Sequence, residues 1–375
     1  MKQDERILQL ARSIMTGSLE LKPGEKVFIE TRGFSTLPML SAMIRAATEV
    51  GAVPFYYFND DSLAKEFINA ASEEQMKMKG AFDKAIMEQC SAYVVLRAED
   101  DLYELQDVSE DKMVMFQNHH FSQVHRDTRI PKLRWCVLRY PNSVKAAMNN
   151  MSIKQYEDFY FSSCLLDYKK MGEAMVSLKK MMEKTDRVRI IGPDTDIEFS
   201  IKGIMTVVSA GRKNLPDGEV YTAPIIDSIN GHVFFNTRTD FNGYSFSNIY
   251  LEFENGKIVN SRCTGNQKSL DKILDMDAGS RYMGEFALGV NPYILSETGE
   301  GLFDEKISGS FHIAIGNSFE GTCDNGNRSN VHWDLIQIQT EQCGGGEIYF
   351  DGVLIRKDGV FVVDELLCLN PENLV

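Results

Sequence analysis

The stretch VRIIGPDTDIEFSIKG (188–203) marks a change in the hydrophobic pattern of this 375-residue chain. Apolar and polar residues alternate along it with a period of two, which is typical of half-buried β-strands. Residues 142–185, just before it, are rich in Lys, Met and Glu in a pattern that favours helices. We therefore predict a domain boundary near residue 186, with domains at residues 1–186 and 187–375.

Before this boundary, short apolar runs alternate with helical patterns such as the one at residues 36–50. Strands that alternate with helices indicate parallel βαβ units whose sheet is covered on both faces. We therefore predict an α/β N-terminal domain with a mainly parallel sheet. Its strand candidates are KVFIE (26–30), PFYYF (54–58), AYVVL (92–96) and WCVLRY (135–140).

After the boundary, hairpin signals follow one another. The dipeptide Asn-Gly lies in the middle of LEFENGKIV (251–259), and Asp-Gly occurs twice in EIYFDGVLIRKDGVFVV (347–363). These dipeptides between apolar runs favour the two-residue turns of antiparallel hairpins. We therefore predict an α+β C-terminal domain that is rich in antiparallel strands.

The composition excludes several classes of protein. Hydrophobic residues make up 43% and charged residues 25%, values that rule out a disordered or collagen-like chain. The net charge of −14 is opposite to that of a nucleic-acid-binding face. No run approaches the ~20 apolar residues that span a bilayer, and the charged N-terminus does not fit a signal peptide. We expect a cytoplasmic protein without a nucleic-acid or membrane partner.

Candidate metal ligands are concentrated in the second domain. The chain has only six histidines, so any metal site must depend on carboxylates. In NVHWDLI (330–336), the period of a strand places His332 and Asp334 on one face, opposite three apolar side chains. The segments are NLPDGEVYTAP (214–224) with Glu219, RYMGEFALGVNP (281–292) with Glu285, LFDEKISGSFHIAIGNSF (302–319) with Glu305 and His312, and RSNVHWDLIQIQ (328–339).

Each of these residues alone has an ordinary structural explanation. A buried histidine such as His312 is more often a hydrogen-bonded core residue than a ligand. Glu219 and Glu305 each suit a solvated turn, whereas Glu285 lies between Gly284 and an apolar stretch. The metal-site hypothesis therefore depends on the combination.

Together these four segments closely resemble the aminopeptidase S/aminopeptidase T family of metallo-aminopeptidases, also called the thermophilic metalloprotease family. The resemblance implies a homodimeric enzyme that releases N-terminal residues from peptides through a water activated by two divalent ions. Zinc or cobalt is the expected metal, with manganese and magnesium as alternatives. Glu285 is expected to bridge the ions, and either it or Glu219 to act as the catalytic base. The metal ligands carried over by position are Glu219, Glu285, Glu305, His312, His332 and Asp334.

The chain departs from the family pattern in two places. His312 follows Glu305 by seven residues, a longer spacing than the family shows. Phe319 stands where the family often has a tyrosine, and a phenyl ring cannot donate a hydrogen bond. Loss of such a donor costs on the order of 10²–10³ in rate unless another group, Tyr221 or His232, replaces it. The rival functions are therefore a binuclear amidohydrolase acting on another amide, and a catalytically weakened relative that serves in binding.

The sequence leaves alternative roles for a histidine cluster and for one cysteine. His119, His120 and His125 cluster in the first domain, where we expect a polar loop with solvated or capping histidines rather than a metal site. Cys323 lies near the expected centre and is either a nucleophile or redox switch, or an ordinary packed thiol.

Overall fold

The computed structural model describes residues 4–98, 100–101, 103–241 and 243–375. Its strands are β1 (Lys26–Arg32), β2 (Val53–Asn59), β3 (Ala92–Arg97), β4 (Arg134–Arg139), β5 (Arg187–Gly192), β6 (Thr195–Ser200), β7 (Val207–Ser209), β8 (Asn214–Leu215), β9 (Glu219–Thr222), β10 (Asn230–Phe235), β11 (Thr239–Phe241), β12 (Tyr244–Glu254), β13 (Lys257–Gly265), β14 (Met283–Gly289), β15 (Ser310–Gly316), β16 (His332–Ile338), β17 (Glu347–Phe350), β18 (Val353–Lys357) and β19 (Val360–Phe361).

The helices are mostly short and begin at capping side chains such as Ser72 and Ser152, which accept from the backbone three residues on. In the described residues, no helix is long and apolar enough to cross a membrane. The α-helices are α1 (Glu5–Ser13), α2 (Leu37–Glu49), α3 (Asp61–Ala70), α4 (Glu73–Met87), α5 (Glu110–Phe116), α6 (Ile130–Lys132), α7 (Ser143–Met148), α8 (Ile153–Cys164), α9 (Tyr168–Met182), α10 (Gln267–Leu274), α11 (Gly301–Asp304) and α12 (Pro371–Leu374). Segments Ile14–Ser18 and Gln117–Arg129 are π-helical, and Phe34–Thr36, Glu341–Cys343 and Asp364–Leu369 are 3₁₀-helical.

The chain forms two compact units. Unit 1 comprises Met1–Leu165 with Gly211–Leu215, and unit 2 comprises Leu166–Ala210 with Pro216–Val375. This division falls earlier than the domain boundary that the sequence predicts near residue 186. The reason is that helix α9 buries four apolar side chains in the core of unit 2. These side chains are Met171, Met175, Leu178 and Met182.

Unit 1 contains the parallel sheet that the sequence predicts. Its strand order is β2-β1-β3-β4-β8, and every pairing is parallel. Strands β1 and β3 are buried over almost their whole length, as expected of strands covered on both faces. The edge strand β8 comes from much later in the chain, so local patterns gave no indication of it.

The histidine segment of unit 1 differs from its prediction. Residues Gln117–Arg129 are helical rather than a polar loop. His125 is buried, with its ring 5.8 Å from that of Tyr93, and His120 pairs with Asp83 at 2.7 Å. The predicted polar loop is therefore wrong, and of the solvated or capping roles predicted for these histidines the solvated one is wrong for His125, because the helix turns its ring into the core.

Unit 2 contains two antiparallel sheets, in agreement with the predicted antiparallel part of the fold. In the described residues, one sheet has the order β11-β12-β10-β6-β5-β17-β18-β19, with β13 paired to β12, and the other has the order β16-β15-β14-β9-β7. The Asn255-Gly256 turn joins β12 to β13, and both of its residues have positive φ. Phe199 and Phe286, from different sheets, meet edge to face at 5.0 Å in the core between them.

Candidate metal centre

The predicted ligands lie on one sheet of unit 2. Adjacent strands β16, β15, β14 and β9 supply five of them, and Glu305 follows helix α11 directly. Ala314 lies opposite both Glu285 and Asp334 in the strand register, so a small side chain separates two larger polar ones. The strand ligands are Glu219 on β9, Glu285 on β14, His312 on β15, and His332 and Asp334 on β16.

A β-bulge positions Glu285. The register between β14 and β15 shifts between Met283 and Glu285. A Cβ atom on the intervening Gly284 would lie 2.4 Å from the carbonyl oxygen of Asn317, so only glycine fits there. Bulges redirect the following side chains, and this one turns the Glu285 carboxylate towards the histidines of the neighbouring strands.

The spacing of the donor atoms suits metal ligation better than hydrogen bonding. The Nε2 of His312 lies 3.7 Å from Oε1 of Glu285 and 3.4 Å from Oε2 of Glu219. The Nε2 of His332 lies 3.4 Å from Oε2 of Glu285 and 3.7 Å from Oδ1 of Asp334. Two tetrahedral ligands about 2.1 Å from one ion are about 3.4 Å apart. The two oxygens of Glu285 thus face two different histidines.

Three overlapping groups of side chains could each hold an ion. Several of their donor atoms are buried and have no hydrogen-bond partner among the described residues, namely Oε2 of Glu219, both ring nitrogens of His312, and Oδ1 of Asp334. Buried polar atoms normally have partners, so these donor atoms fit the ligand set of a cation. The groups are Glu219–Glu285–His312, Glu285–His332–Asp334 and Glu305–His312–Asp334.

A buried lysine completes this cluster, and the sequence analysis did not identify it. The Nζ of Lys306 lies 2.5 Å from Oε1 of Glu219, 3.0 Å from Oε1 of Glu305 and 3.9 Å from Oδ1 of Asp217. Lys306 is fully buried, and so is Asp217. The sequence gives one weak signal, because Lys306 directly follows Glu305 and precedes an apolar residue.

The charges of the cluster do not balance. With His312 and His332 neutral, as metal ligation requires, the ionised carboxylates of Asp217, Glu219, Glu285, Glu305 and Asp334 leave four negative charges after the ammonium group of Lys306 is counted. Buried charges are costly unless they are paired or bind metals. Two divalent ions would neutralise this remainder.

The electrostatics of the metal-free cluster follow from burial and from mutual contacts. Burial raises the pKa of Glu219 more than the nearby Lys306 lowers it. Burial also acts to raise the pKa of Glu285, but His312 and His332 outweigh it and lower that pKa. Burial opposes protonation of the two histidines, yet the carboxylates raise the pKa of His312 to about 9 and that of His332 to about 10. A metal ion must therefore displace protons from both rings.

Tyr221 and His232, the two candidates to replace the hydroxyl group that Phe319 lacks, lie in different places. Tyr221 lies two residues after Glu219 on β9, hence on the same face, with its ring 5.6 Å from that of Phe319. The ring of Phe319 lies 4.8 Å from that of His332. His232 lies on a strand of the other sheet, beside Tyr250. The position of Tyr221 therefore favours it as the replacement donor.

Cys323 is buried near the cluster. Burial, with a smaller effect of Glu285, raises the pKa of its thiol to about 12. A neutral thiol is a poor nucleophile, so the structure favours the packed-thiol interpretation.

A buried group of carboxylates and imidazoles with orphaned donor atoms defines a metal-binding class of protein. The chain belongs to the thermophilic metalloprotease (M29) family, whose model matches residues 3–361, so the predicted resemblance is confirmed. Aminopeptidase PepS from Streptococcus thermophilus is 23% identical over 96% of this chain and 98% of its own length. Aminopeptidase T from Thermus thermophilus is 30% identical, over 43% of this chain and 45% of its own length.

A solved structure has the same fold over nearly the whole chain. Wild-type AmpT from Thermus thermophilus superposes with a TM-score of 0.79 at 20% sequence identity. The match covers 96% of this chain and 99% of that chain. At this identity the likeness shows the fold, and the chemistry must be argued from the site.

Proposed function

We propose that this protein releases N-terminal residues from peptides, using a water activated by two divalent ions. Its class, a metal-dependent aminopeptidase, is confirmed by the family match together with full-length relatives of that name. The observation that carries the two-ion proposal is that the oxygens of Glu285 face different histidines, His312 and His332. The unbalanced charge of the cluster supports the same number of ions.

The predicted set of six ligands would hold the ions. Glu219, Glu285 and His312 form one group that would hold an ion, Glu285, His332 and Asp334 form a second, and Glu305 lies with His312 and Asp334. When bound, the ions lower the pKa of water towards ~7 and polarise a carbonyl group. The Nδ1 of His332 donates to the carbonyl oxygen of Asn317 at 2.8 Å, which leaves its Nε2 free for an ion.

Glu305 is a third candidate for the proton acceptor, beside Glu219 and Glu285, the bases expected from the sequence. The oxygens of Glu219 and Glu285 face histidines, and Lys306 contacts both Glu219 and Glu305. The side chain of Glu305 is 14% exposed, and burial raises its pKa. A carboxylate with a raised pKa and access to water is suited to accept a proton from the attacking water. Glu285 remains essential in this scheme because it holds both ions.

The identity of the metal, the cellular location and the subunit number are also proposals. Mixed carboxylate and imidazole donors suit zinc or cobalt, with manganese or magnesium as alternatives. We propose a cytoplasmic homodimer, as the family resemblance implies. The edge strand β2 exposes Phe55, Tyr56 and Tyr57, an apolar surface that a second copy could cover. Light scattering at several protein concentrations would measure the subunit number.

An assay with matched substrates tests this function. Metal-free protein would be supplied with zinc, cobalt or manganese and given aminoacyl chromogenic amides and their N-acetylated forms. Hydrolysis restricted to free-amine substrates, and lost in Glu285→Ala, is the expected result. The exposed Glu254 lies at a hairpin end, so Glu254→Gln serves as the matched control. Equal turnover of acetylated amides would favour the amidohydrolase alternative, and no turnover with any metal would favour the binding alternative.

A further inference from the structure

Three arginines lie side by side at the carboxyl edge of the parallel sheet of unit 1. Each is the last residue of its strand, and the register places Arg32 opposite Arg97 and Arg97 opposite Arg139. Like charges on directly paired positions destabilise a sheet. Arg32 is compensated by Glu30 and Asp61, so the arginine of this row to be explained is the central one, Arg97.

A fourth arginine lies close to this row. The guanidinium carbon of Arg129, from the π-helix, lies 4.6 Å from the ring of Trp135 and 5.4 Å from that of Tyr93. Its Nε and Nη1, and the Nε of Arg97, are buried without hydrogen-bond partners in the part of the chain that the structure describes. Buried donors of this kind normally bind a carboxylate, a water or another ion.

The buried carboxylate in this region is already engaged. Glu30 accepts from Nε of Arg32 at 3.2 Å, from Nδ2 of Asn59 at 3.2 Å and from the hydroxyl of Tyr93 at 2.7 Å. None of these bonds involves Arg97 or Arg129. Glu30 therefore pairs directly with Arg32, and none of its hydrogen bonds reaches the Nε of Arg97 or the Nε and Nη1 of Arg129.

The row lies where parallel sheets usually bind ligands. In the strand order β2-β1-β3-β4, the chain first places β2 on one side of β1 and then places β3 on the other side. The direction in which successive strands are added therefore reverses between β1 and β3. Open α/β sheets bind ligands outside the carboxyl ends of their strands at such a reversal. Arg32 and Arg97 are the terminal residues on its two sides.

We propose that Arg97 and Arg129 bind an oxyanion at this edge, the phosphate or carboxylate group of a small molecule. Guanidinium groups present planar pairs of N–H donors that match either group. The bound anion would accept from the donors that lack partners and would reduce the repulsion along the row. All of these residues belong to unit 1 and the candidate metal ligands to unit 2, so the proposal does not rest on the proposed function.

Trp135 provides a local probe, because Arg129 lies over its ring and the chain has only two tryptophans. Sodium sulfate, as a stand-in for phosphate, and sodium succinate would be titrated into the full-length protein at constant ionic strength. We expect a saturable change in fluorescence that disappears in Trp135→Phe. The apparent affinity should weaken about tenfold or more in Arg97→Gln and in Arg129→Gln. Arg126→Gln, an exposed arginine of the same helical segment, is the matched control.

Thermal unfolding distinguishes a binding role from a structural one. In low-salt buffer, Arg97→Gln should unfold at the same temperature as the parent protein or a higher one, because it removes a positive charge between two others and a buried Nε without an acceptor. The better anion should raise the unfolding temperature of the parent and not that of the variant. A response to sulfate alone indicates a phosphate ligand, and one to succinate alone a carboxylate ligand. Absence of both responses, unchanged affinity in the arginine variants, or a lower unfolding temperature in low salt would overturn the proposal.

Discussion

The protein has two charged clusters, one rich in carboxylates and one rich in arginines, and each contains more charges of one sign than of the other. In unit 2, the buried Lys306 contacts three carboxylates of the metal cluster, whereas in unit 1 Arg32 pairs with the carboxylates of Glu30 and Asp61. In each cluster these contacts leave other groups of the majority charge without a hydrogen-bond partner among the described residues, such as Oε2 of Glu219 and Nε of Arg97. The comparison teaches that uncompensated charge is the feature from which both proposals follow, cations at the carboxylates and an anion at the arginines.

The largest effect is expected from Glu285→Gln, which should lower kcat/KM by about 10³-fold or more. Glutamine replaces one carboxylate oxygen of Glu285 with an amide nitrogen, which cannot bind a cation. One of the two ions should therefore be lost. Kinetics on a free-amine substrate, with metal analysis of the same sample, would measure both effects. Activity within a few-fold of the Glu254→Gln control would place the chemistry elsewhere.

Lys306→Met should destabilise the metal-free protein by about 3–5 kcal/mol near pH 8, because it leaves buried carboxylates without their internal cation. Added divalent ions should restore part of this loss by binding only the folded state. Denaturant unfolding with and without a chelator would measure the difference. The control is Lys154→Met, whose side chain is 80% exposed. An effect no larger than that of the control would contradict the stated role of Lys306.

Tyr221→Phe should reduce kcat by about 10²-fold with little change in stability, since Tyr221 would replace the hydroxyl that Phe319 lacks. Phe319→Tyr in the same background should recover part of the rate, because it returns a donor to the neighbouring position. Steady-state kinetics of the single and double variants would show this exchange. If Tyr221→Phe keeps the parental kcat, the donor is another group or is not needed.

The smallest effect concerns unit 1 at acid pH. Arg32, His125 and the hydroxyl of Tyr93 outweigh burial and lower the pKa of Glu30 from 4.5 to about 2. Because the pKa of Glu30 is lower in the folded protein than in the unfolded chain, its ionised form adds about 1–3 kcal/mol to the free energy of unfolding above pH 4.5. This contribution is lost as the pH falls from about 4.5 to about 2. Stability curves of the parent and Glu30→Gln should therefore converge over this range. Parallel curves would mean that Glu30 is not paired as described.

The sequence predicts those features that depend on neighbours along the chain. Apolar runs located β1 to β4, and the Asn255-Gly256 dipeptide located a hairpin. The structure brings the candidate ligands close together, and strand periodicity and the family motifs both constrain their positions. Their individual roles stay predictions.

The remaining features depend on contacts between distant segments. The row at Arg32, Arg97 and Arg139 exists only because three strands pair in one register. No local pattern identifies Lys306, because its partner Glu219 lies 87 residues away in the sequence and reaches its ammonium group only in the folded protein. Helix α9 joins unit 2 through side chains whose partners no local pattern reveals.

The most direct test of the central claim is to count the ions that the carboxylate cluster binds. Metal-free parent protein and Glu285→Gln would be equilibrated with cobalt, freed of excess metal and measured for cobalt per chain, with visible absorption as a second readout. The account predicts two ions per chain for the parent and one or fewer for the variant. No bound cobalt in the parent, or equal amounts in both proteins, would contradict it.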